Sequence, residues 1–400
     1  LVKRRKTIRM ITHNTRQNNL RNTQNCTSGK TESYTTNFSN VFTSQNGSLL
    51  IIITNMFKKS VRKHKNNLAD LSINNLKINK MKKFLAMLVI PLMLAASCKK
   101  VEDTPPTSST DSYKVMTEYM VDNNMDMGAI LTDWIVGPPA DVADVPAFIG
   151  GYDIIDIRGA SDYAAGHIEG AVNVTLVDVV THAASTTKPI LVVCYTGQTA
   201  AHAVVALKLS GYQAKTLKWG MSGWRADLAG PWLANSGDVN GVTAIGHSNW
   251  VTTPTADVAT FSTPKLTVSG TAEEMLAARV EYMLGNGFQG VTNTAVLDTP
   301  SDYFINNFWD QVDVDHYGHI AEAYRIKPLT VDGGEMLNLD ASKTIVTYCW
   351  TGQTSSMVTA YLNVIGYNAV SLKFGSNGMI YSDLQSHQFV TPTVDLPVVM

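Results

Sequence analysis

Lys188-Pro-Ile-Leu-Val-Val-Cys194-Tyr-Thr-Gly-Gln-Thr199 and Lys343-Thr-Ile-Val-Thr-Tyr-Cys349-Trp-Thr-Gly-Gln-Thr354 are the same stretch written twice. Each copy is a short β-branched run that stops at a cysteine, followed by a small polar loop holding a glycine and then a segment of helical character. Each therefore reads as strand, tight loop, helix. The register persists downstream: Gly211-Tyr212 and Gly366-Tyr367 both follow their cysteine by 17 residues, and Trp219-Gly220 and Phe374-Gly375 by 25. The globular part of the chain is a duplicated domain.

Outward from the first cysteine, Tyr152 to Arg158 is β-rich, and Gly166-His167-Ile-Glu-Gly170-Ala171 is a turn into the apolar Val172-Asn-Val174. Leu176 to Ala184 reads as a helix. Ile190 to Val193 is apolar throughout, as strands buried on both faces of a parallel sheet are. Ala200 to Ser210 is a helix closed by Gly211, and Ala214 to Lys218 is the next strand. Before this unit, apolar residues from Tyr113 to Trp134 recur at helical spacing broken by Asn123-Asn124 and Gly128, which predicts two short helices packed on the first domain. In the second copy Thr271 to Leu284 is a helix ended by Gly285, and Val296-Leu297-Asp298 takes the place of Ile155-Asp156. On that alignment the second copy is longer between its Asp and its Gly-His pair, with an acidic, aromatic insertion over residues 304–317 (Trp309, Asp310, Asp313, Asp315, Tyr317). Alternating strands and helices predict an α/β fold, two domains each made of a parallel sheet flanked by helices.

Asp156-Ile-Arg158, Gly166-His167-Ile-Glu-Gly-Ala171, Cys194-Tyr-Thr-Gly197-Gln-Thr199 and Trp219-Gly-Met-Ser-Gly-Trp224 occur in that order. The second copy offers Asp298, Gly318-His319-Ile, Cys349-Trp-Thr-Gly352-Gln-Thr354 and Phe374-Gly375. Both copies resemble rhodanese domains in the tandem arrangement of thiosulfate and mercaptopyruvate sulfurtransferases. The resemblance implies a sulfurtransferase that moves a sulfane sulfur through a cysteine persulfide on Cys194, Cys349 or both. The substrate-binding loops would be Tyr195, Thr196, Gly197, Gln198 and Thr199 in one copy and Trp350, Thr351, Gly352, Gln353 and Thr354 in the other, with Asp156 and Arg158 in support. The partners implied are a small sulfur donor and a thiophilic acceptor.

The residues make chemical sense on their own. A thiol at the end of a buried strand, before a small loop and a helix start, can be ringed by backbone N–H groups at the positive end of the helix dipole. That arrangement predicts a lowered thiol pKa in both loops and stabilises an anion on sulfur. Gly197 and Gly352 let the loop curl with its amides inward, and Thr199 and Thr354 are expected to cap the helix or donate to the sulfur. A cysteine-dependent phosphatase needs an Arg closing the loop; here Thr199-Ala200 and Thr354-Ser355 stand there, so phosphate-ester hydrolysis is excluded. Neither loop carries Lys or Arg, which weighs against thiosulfate itself as the donor. His167 and His319 are expected to bond locally. No metal-ligand spacing, phosphate-binding glycine loop or Ser/His/Asp order occurs, so no metal and no cofactor are expected. The alternatives are a non-catalytic binding module and a thiol redox sensor at the cell envelope.

The formal net charge of −1 is the sum of two unlike pieces. Residues 1–80 carry 15 Lys and Arg against Glu32 and Asp70, with 14 Asn and no apolar period, and read as an upstream extension that is either non-native or disordered. Asn and Thr scattered among the charges argue against a nucleic-acid arm. Met81-Lys-Lys, an apolar run over residues 84–97, and Cys98 resemble a bacterial lipoprotein signal, which implies cleavage before Cys98, lipidation of its thiol, and export to the periplasmic or surface side of the envelope. Residues 98–111 form a tether, 112–234 the first rhodanese-like domain with its N-terminal helices, 235–265 a Ser/Thr/Gly/Pro-rich linker, and 266–400 the second. The acidic surplus of the second copy predicts that Cys194 is the better site for anionic donors.

Overall fold

The computed structural model describes residues 111–237 and 244–400. The expectations for residues 1–80, for the signal at 81–97, for Cys98 and for the tether up to residue 110 lie outside the described residues. Asp111 already belongs to the globular part. Its carboxylate accepts from the backbone N–H groups of Tyr113 and Lys114 and caps the first helix.

The first half runs α1 (Ser112–Asp122), α2 (Met127–Ile130), β1 (Ile135–Val136), α3 (Val145–Gly150), β2 (Asp153–Asp156), α4 (Ala160–Ala165), β3 (Val172–Asn173), α5 (Val179–Ala183), β4 (Ile190–Val193), α6 (Gln198–Leu209), β5 (Ala214–Leu217) and α7 (Gly230–Leu233). Its sheet has the order β1-β5-β4-β2-β3, every pair parallel. The all-apolar β4 is buried at every residue and central, as its composition requires. The two short helices expected before the sheet are present.

The second half begins with β6 (Trp250–Val251) and α8 (Ala272–Gly285), the latter opened by a capping box between Thr271 and Glu274. It continues through β7 (Gly290–Val291), α9 (Asn293–Asp298), β8 (Tyr303–Asn307), α10 (Gln311–Tyr317), β9 (His319–Ile320), β10 (Thr344–Tyr348), α11 (Gln353–Val364) and β11 (Ala369–Leu372). The sheet order is β7-β11-β10-β8, again all parallel. This register corrects the sequence alignment of the copies. Asp156 pairs with Val193, the residue before Cys194, and Asn307 pairs with Tyr348, the residue before Cys349. The counterpart of Asp156 is thus Asn307. Asp298 instead ends helix α9. Val296-Leu297-Asp298 imitates a strand end only in composition; its flanks, Thr292 capping Ala295 N–H and Pro300 just beyond, make it a helical turn. With Asn307 in place, the path to Gly318 is one residue longer than that from Asp156 to Gly166. There is no insertion: residues 304–317 are β8 and α10, the match of β2 and α4.

The halves share one core. Helix α6 packs along α11, and α1 along α8. Each half is also completed by chain that follows the other. Residues 396–399 return to the first half, where Val399 bridges His167 in antiparallel fashion and Trp224 Nε1 donates to the Pro397 carbonyl at 2.9 Å. Residues 244–251 complete the second half, with β6 antiparallel to β9 and Ala244 fully buried. The expected linker is therefore integral structure along its described part: Ala256 N–H bonds the Ala323 carbonyl and Phe261 N–H that of Leu337.

Candidate active site: two cysteine loops

Both cysteines stand just past the carboxyl end of a central parallel strand, Cys194 after β4 and Cys349 after β10. The turn into the helix is made by glycine: Gly197 (φ +81°) and Gly352 (φ +75°) are left-handed N-caps, a conformation that costs glycine little. The left-handed turn aims the loop amides back at the sulfur. Gly197 N–H reaches Cys194 Sγ at 3.1 Å and Ala200 N–H at 3.4 Å, and Ser355 N–H reaches Cys349 Sγ at 3.3 Å. With glycine as cap, Thr199 and Thr354 fall inside the first helical turn, so the capping expected of them does not occur.

A second turn grips each loop from below. Met221 N–H bonds the Cys194 carbonyl (2.9 Å) and Ser222 N–H that of Tyr195 (3.1 Å); Ser376 and Asn377 repeat this with the carbonyls of Cys349 (3.0 Å) and Trp350 (3.2 Å). This is what the Trp219-Gly220 and Phe374-Gly375 pairs are for. Trp219 and Phe374 take positive φ (67° and 62°), and a Cβ on Gly220 would collide with the Cys194 carbonyl and lie 2.7 Å from Gly197 N.

A family model described as "Rhodanese-like domain" matches residues 141–227. Residues 141–227 are a rhodanese-like domain. Among solved structures, the chain is similar to a rhodanese-related protein from Thermoplasma volcanium (22% identity over 23% of this chain and 89% of that one, TM-score 0.20). It is also similar to a rhodanese-like domain protein from Staphylococcus aureus (21%, 23% and 90%, TM-score 0.20). A thiosulfate sulfurtransferase from Pseudomonas aeruginosa matches at 14% identity over 72% of this chain and 49% of that one, TM-score 0.24. The comparison with curated proteins finds no match.

The rhodanese-like domain buries its cysteine. Cys194 is 3% exposed, and burial pushes its thiol up, outweighing the lowering by the amides of Ala200, Thr196, Gly197 and Thr199. The lowered pKa expected from the loop is thus reversed at Cys194, because desolvation is the largest contribution and exceeds that of the loop amides. Cys194 and Cys349 are both free thiols, each enclosed in its own loop. Tyr195 forms the lip: its hydroxyl donates to Asp162 at 2.5 Å and accepts from Gly159 N–H at 3.2 Å. Beside it opens a cavity of about 290 Å³ bordered by Arg158, Arg225, Met221 and Val398.

Asp156 and Arg158 pair as expected, at 2.7 Å and nearly fully buried. Arg158 Nη2 also donates to the Gly166 carbonyl at 2.7 Å, so the pair fastens the Gly-His turn to the sheet. Asn307 performs the backbone half of this role in the second copy. It accepts from Trp309 N–H at 3.1 Å, as Asp156 accepts from Arg158 N–H at 2.9 Å. Trp309 then occupies the place of Arg158 and stacks on Trp350 (4.3 Å, 14°), which stacks in turn on His387 (5.1 Å, 12°). Of the acidic residues of this region, Asp310 is answered by two cations. Asp310 sits 2.9 Å from Lys327 and 3.6 Å from Arg325, and the Lys327 bond holds its carboxyl below the usual range. His167 bonds the Tyr163 carbonyl, a local role as expected; His319 bonds the Ile320 carbonyl beside it but also that of Thr253, 66 residues earlier, so its role is not only local.

The structure gives the loop residues Gln198 and Gln353 roles that sequence reading did not foresee, and adds Trp232 and Phe389, which it missed. Gln198 crosses to the second loop, where its Oε1 accepts from Phe374 N–H at 2.8 Å, and Gln353 crosses to Gly197. Trp232 and Phe389, one from the chain after each copy, stack on each other (5.2 Å) between Trp219 and Phe374, and Trp232 Nε1 donates to the Thr196 carbonyl. Their signal in sequence was weak: aromatic residues following each Trp/Phe-Gly pair at unequal spacing. Among the described residues, no cluster of His, Cys, Asp and Glu is placed to hold a metal.

Proposed function

We propose that the chain is a tandem rhodanese-type sulfurtransferase, exported and lipid-anchored through Cys98, that accepts a sulfane sulfur on Cys194, Cys349 or both and passes it to a thiophilic acceptor. The observation that carries this reading is the repeated geometry of the loops, with a free thiol at a strand end, its sulfur hydrogen-bonded by loop amides and a left-handed glycine opening the helix behind it.

The chemistry balances without a cofactor. The thiolate attacks the outer sulfur of a donor such as thiosulfate; the new S–S bond forms as the donor's S–S bond breaks, and sulfite leaves with the electron pair. The negative charge now lies on the terminal sulfur of the persulfide, within reach of the loop amides. An acceptor such as cyanide attacks that sulfur, thiocyanate departs and the thiolate returns. With no Lys or Arg in either loop, a donor of low charge, such as an organic persulfide, suits these sites better than an oxyanion.

A second reading, a non-catalytic binding module, is favoured by one observation: both cysteines are only 3% exposed, and burial pushes the Cys194 thiol up. Thiocyanate formation after incubation with thiosulfate, an organic persulfide and polysulfide separates the two. Release that disappears in the Cys194→Ser/Cys349→Ser double variant supports sulfur transfer. Absence of release from every donor, or release unchanged in the double variant, leaves the binding module.

A further inference from the structure

The two loops have the same backbone but different floors. Cys194 shares one core cluster with the apolar Val192, Ala200, Ala201 and Val204; at the same offsets from Cys349 stand Thr347, Ser355, Ser356 and Thr359. Only Thr216 in the first half matches Ser371 in the second as a shared hydroxyl position. All five hydroxyl side chains of the second floor are fully buried. Burying hydroxyls is unfavourable unless they are paired. Yet Thr347 Oγ1 and Thr359 Oγ1 have no hydrogen-bond partner.

The remaining three are linked, and they end at the sulfur. Cys349 Sγ lies 3.6 Å from Ser355 Oγ; Ser355 Oγ lies 2.8 Å from Ser371 Oγ and 3.2 Å from the Gly352 carbonyl. Ser356 Oγ bonds the Gly352 carbonyl at 2.6 Å and Ser371 at 3.3 Å. A hydroxyl is both donor and acceptor and rotates freely between the two. While Cys349 is a thiol, its S–H donates to Ser355 Oγ, and the Ser355 proton points to the Gly352 carbonyl. Once the thiol proton has left to solvent, Ser355 turns its own proton to the sulfur and Ser371 donates to Ser355, while Ser356 keeps the carbonyl satisfied. Each of these three serine hydroxyls stays bonded in both states, and the thiolate gains a side-chain donor that Ala200 cannot supply to Cys194.

Resting on the sulfurtransferase reading above, we propose that Ser355, backed by Ser371, is a catalytic hydroxyl donating to the ionised sulfur, so that Cys349 rather than Cys194 ionises first and is the cysteine loaded with sulfane sulfur. This reverses the expectation drawn from the sequence, whose premise, an acidic insertion over the second loop, the fold removes. Of the titratable groups around this loop, the Tyr348 hydroxyl accepts from Ile320 N–H, Asp310 is paired with Lys327 and Arg325, and His387 lies across the Trp350 ring with its Nδ1 on Ser386, where Lys218 and Asp313 act on it with opposite signs of charge.

The test is the pH dependence of iodoacetamide alkylation in the intact protein, read separately for the Cys194 and Cys349 peptides by mass spectrometry. The half-reaction pH of Cys349 is expected below that of Cys194. Ser355→Ala should raise it by roughly one to two pH units, the scale of one hydrogen bond to a charged group, and Ser355→Thr should keep it low. In the other loop Ala200→Ser should lower the Cys194 value, and this variant decides the matter if Ser355→Ala does not fold. Midpoints that Ser355→Ala and Ala200→Ser leave unmoved overturn the proposal. Alkylation needs no sulfur donor, so this result stands apart from the success or failure of the sulfur-transfer assay.

Discussion

His202 sits about one turn into α6, the helix that carries the Cys194 loop, and burial makes it acid-sensitive. The ring is fully buried, makes edge contact with Phe288 at 4.9 Å, and both its nitrogens lack a hydrogen-bond partner. Desolvation therefore pushes its pKa down from 6.5 to about 3. Below pH 6.5 the unfolded chain takes up a proton at this position while the folded chain does not, so stability falls by about 1.4 kcal/mol per pH unit until the folded value is reached. Between pH 7 and pH 5 His202 alone should remove about 2 kcal/mol. Met357, at the same offset from Cys349, shows that this helix position accepts an unbranched apolar side chain. His202→Met should therefore leave the fold intact, raise stability at neutral pH by removing two unsatisfied buried nitrogens, and lose about 2 kcal/mol less than the parent between pH 7 and pH 5. Urea unfolding of both proteins at the two pH values measures this. Equal pH dependence in parent and variant would refute the reasoning.

Three further outcomes follow from the geometry. Gly220→Ala places a methyl against the Cys194 carbonyl at a residue with φ +61°, and should abolish sulfur release attributable to Cys194 while leaving that of Cys349, measured in Cys349→Ser and Cys194→Ser backgrounds. Asp156→Ala strands the buried Arg158 guanidinium and should cost about 3–5 kcal/mol in chemical denaturation, whereas Asn307→Ala, which removes no charge partner, should cost less. Ending the chain before Asp395 removes the partners of His167, Trp224 Nε1 and Arg225; hydrogen exchange should quicken around residues 167–171 and 224–226 of the first half and leave β8 and β10 protected.

Much of the fold was legible because the signals are local. An apolar, β-branched run of four or five residues reads as a buried strand and a glycine soon after it as a turn, and the repetition of both at fixed offsets places a cysteine at each strand end. The Asp156–Arg158 pair and the bond of His167 to Tyr163 were likewise visible, since each joins residues near in sequence, whereas the bond of His319 to Thr253 was not. The rest depends on which segments meet in space. Asn307 takes the place of Asp156 because strand register, not residue type, aligns the copies, and Val296-Leu297-Asp298 is helical although its composition matches a strand. Residues 396–399 complete the first half through bonds to Trp224 and Arg225 that span 173 and 171 positions, for which no local pattern exists. The Cys194 thiol pKa is raised rather than lowered because desolvation sums over every neighbour that excludes water, while the amides that favour the thiolate come from one loop. The difference between an apolar floor and a hydroxyl floor is written at positions −2, +6, +7 and +10 from each cysteine, yet it acquires meaning only when a strand and a helix bring those side chains beneath one sulfur.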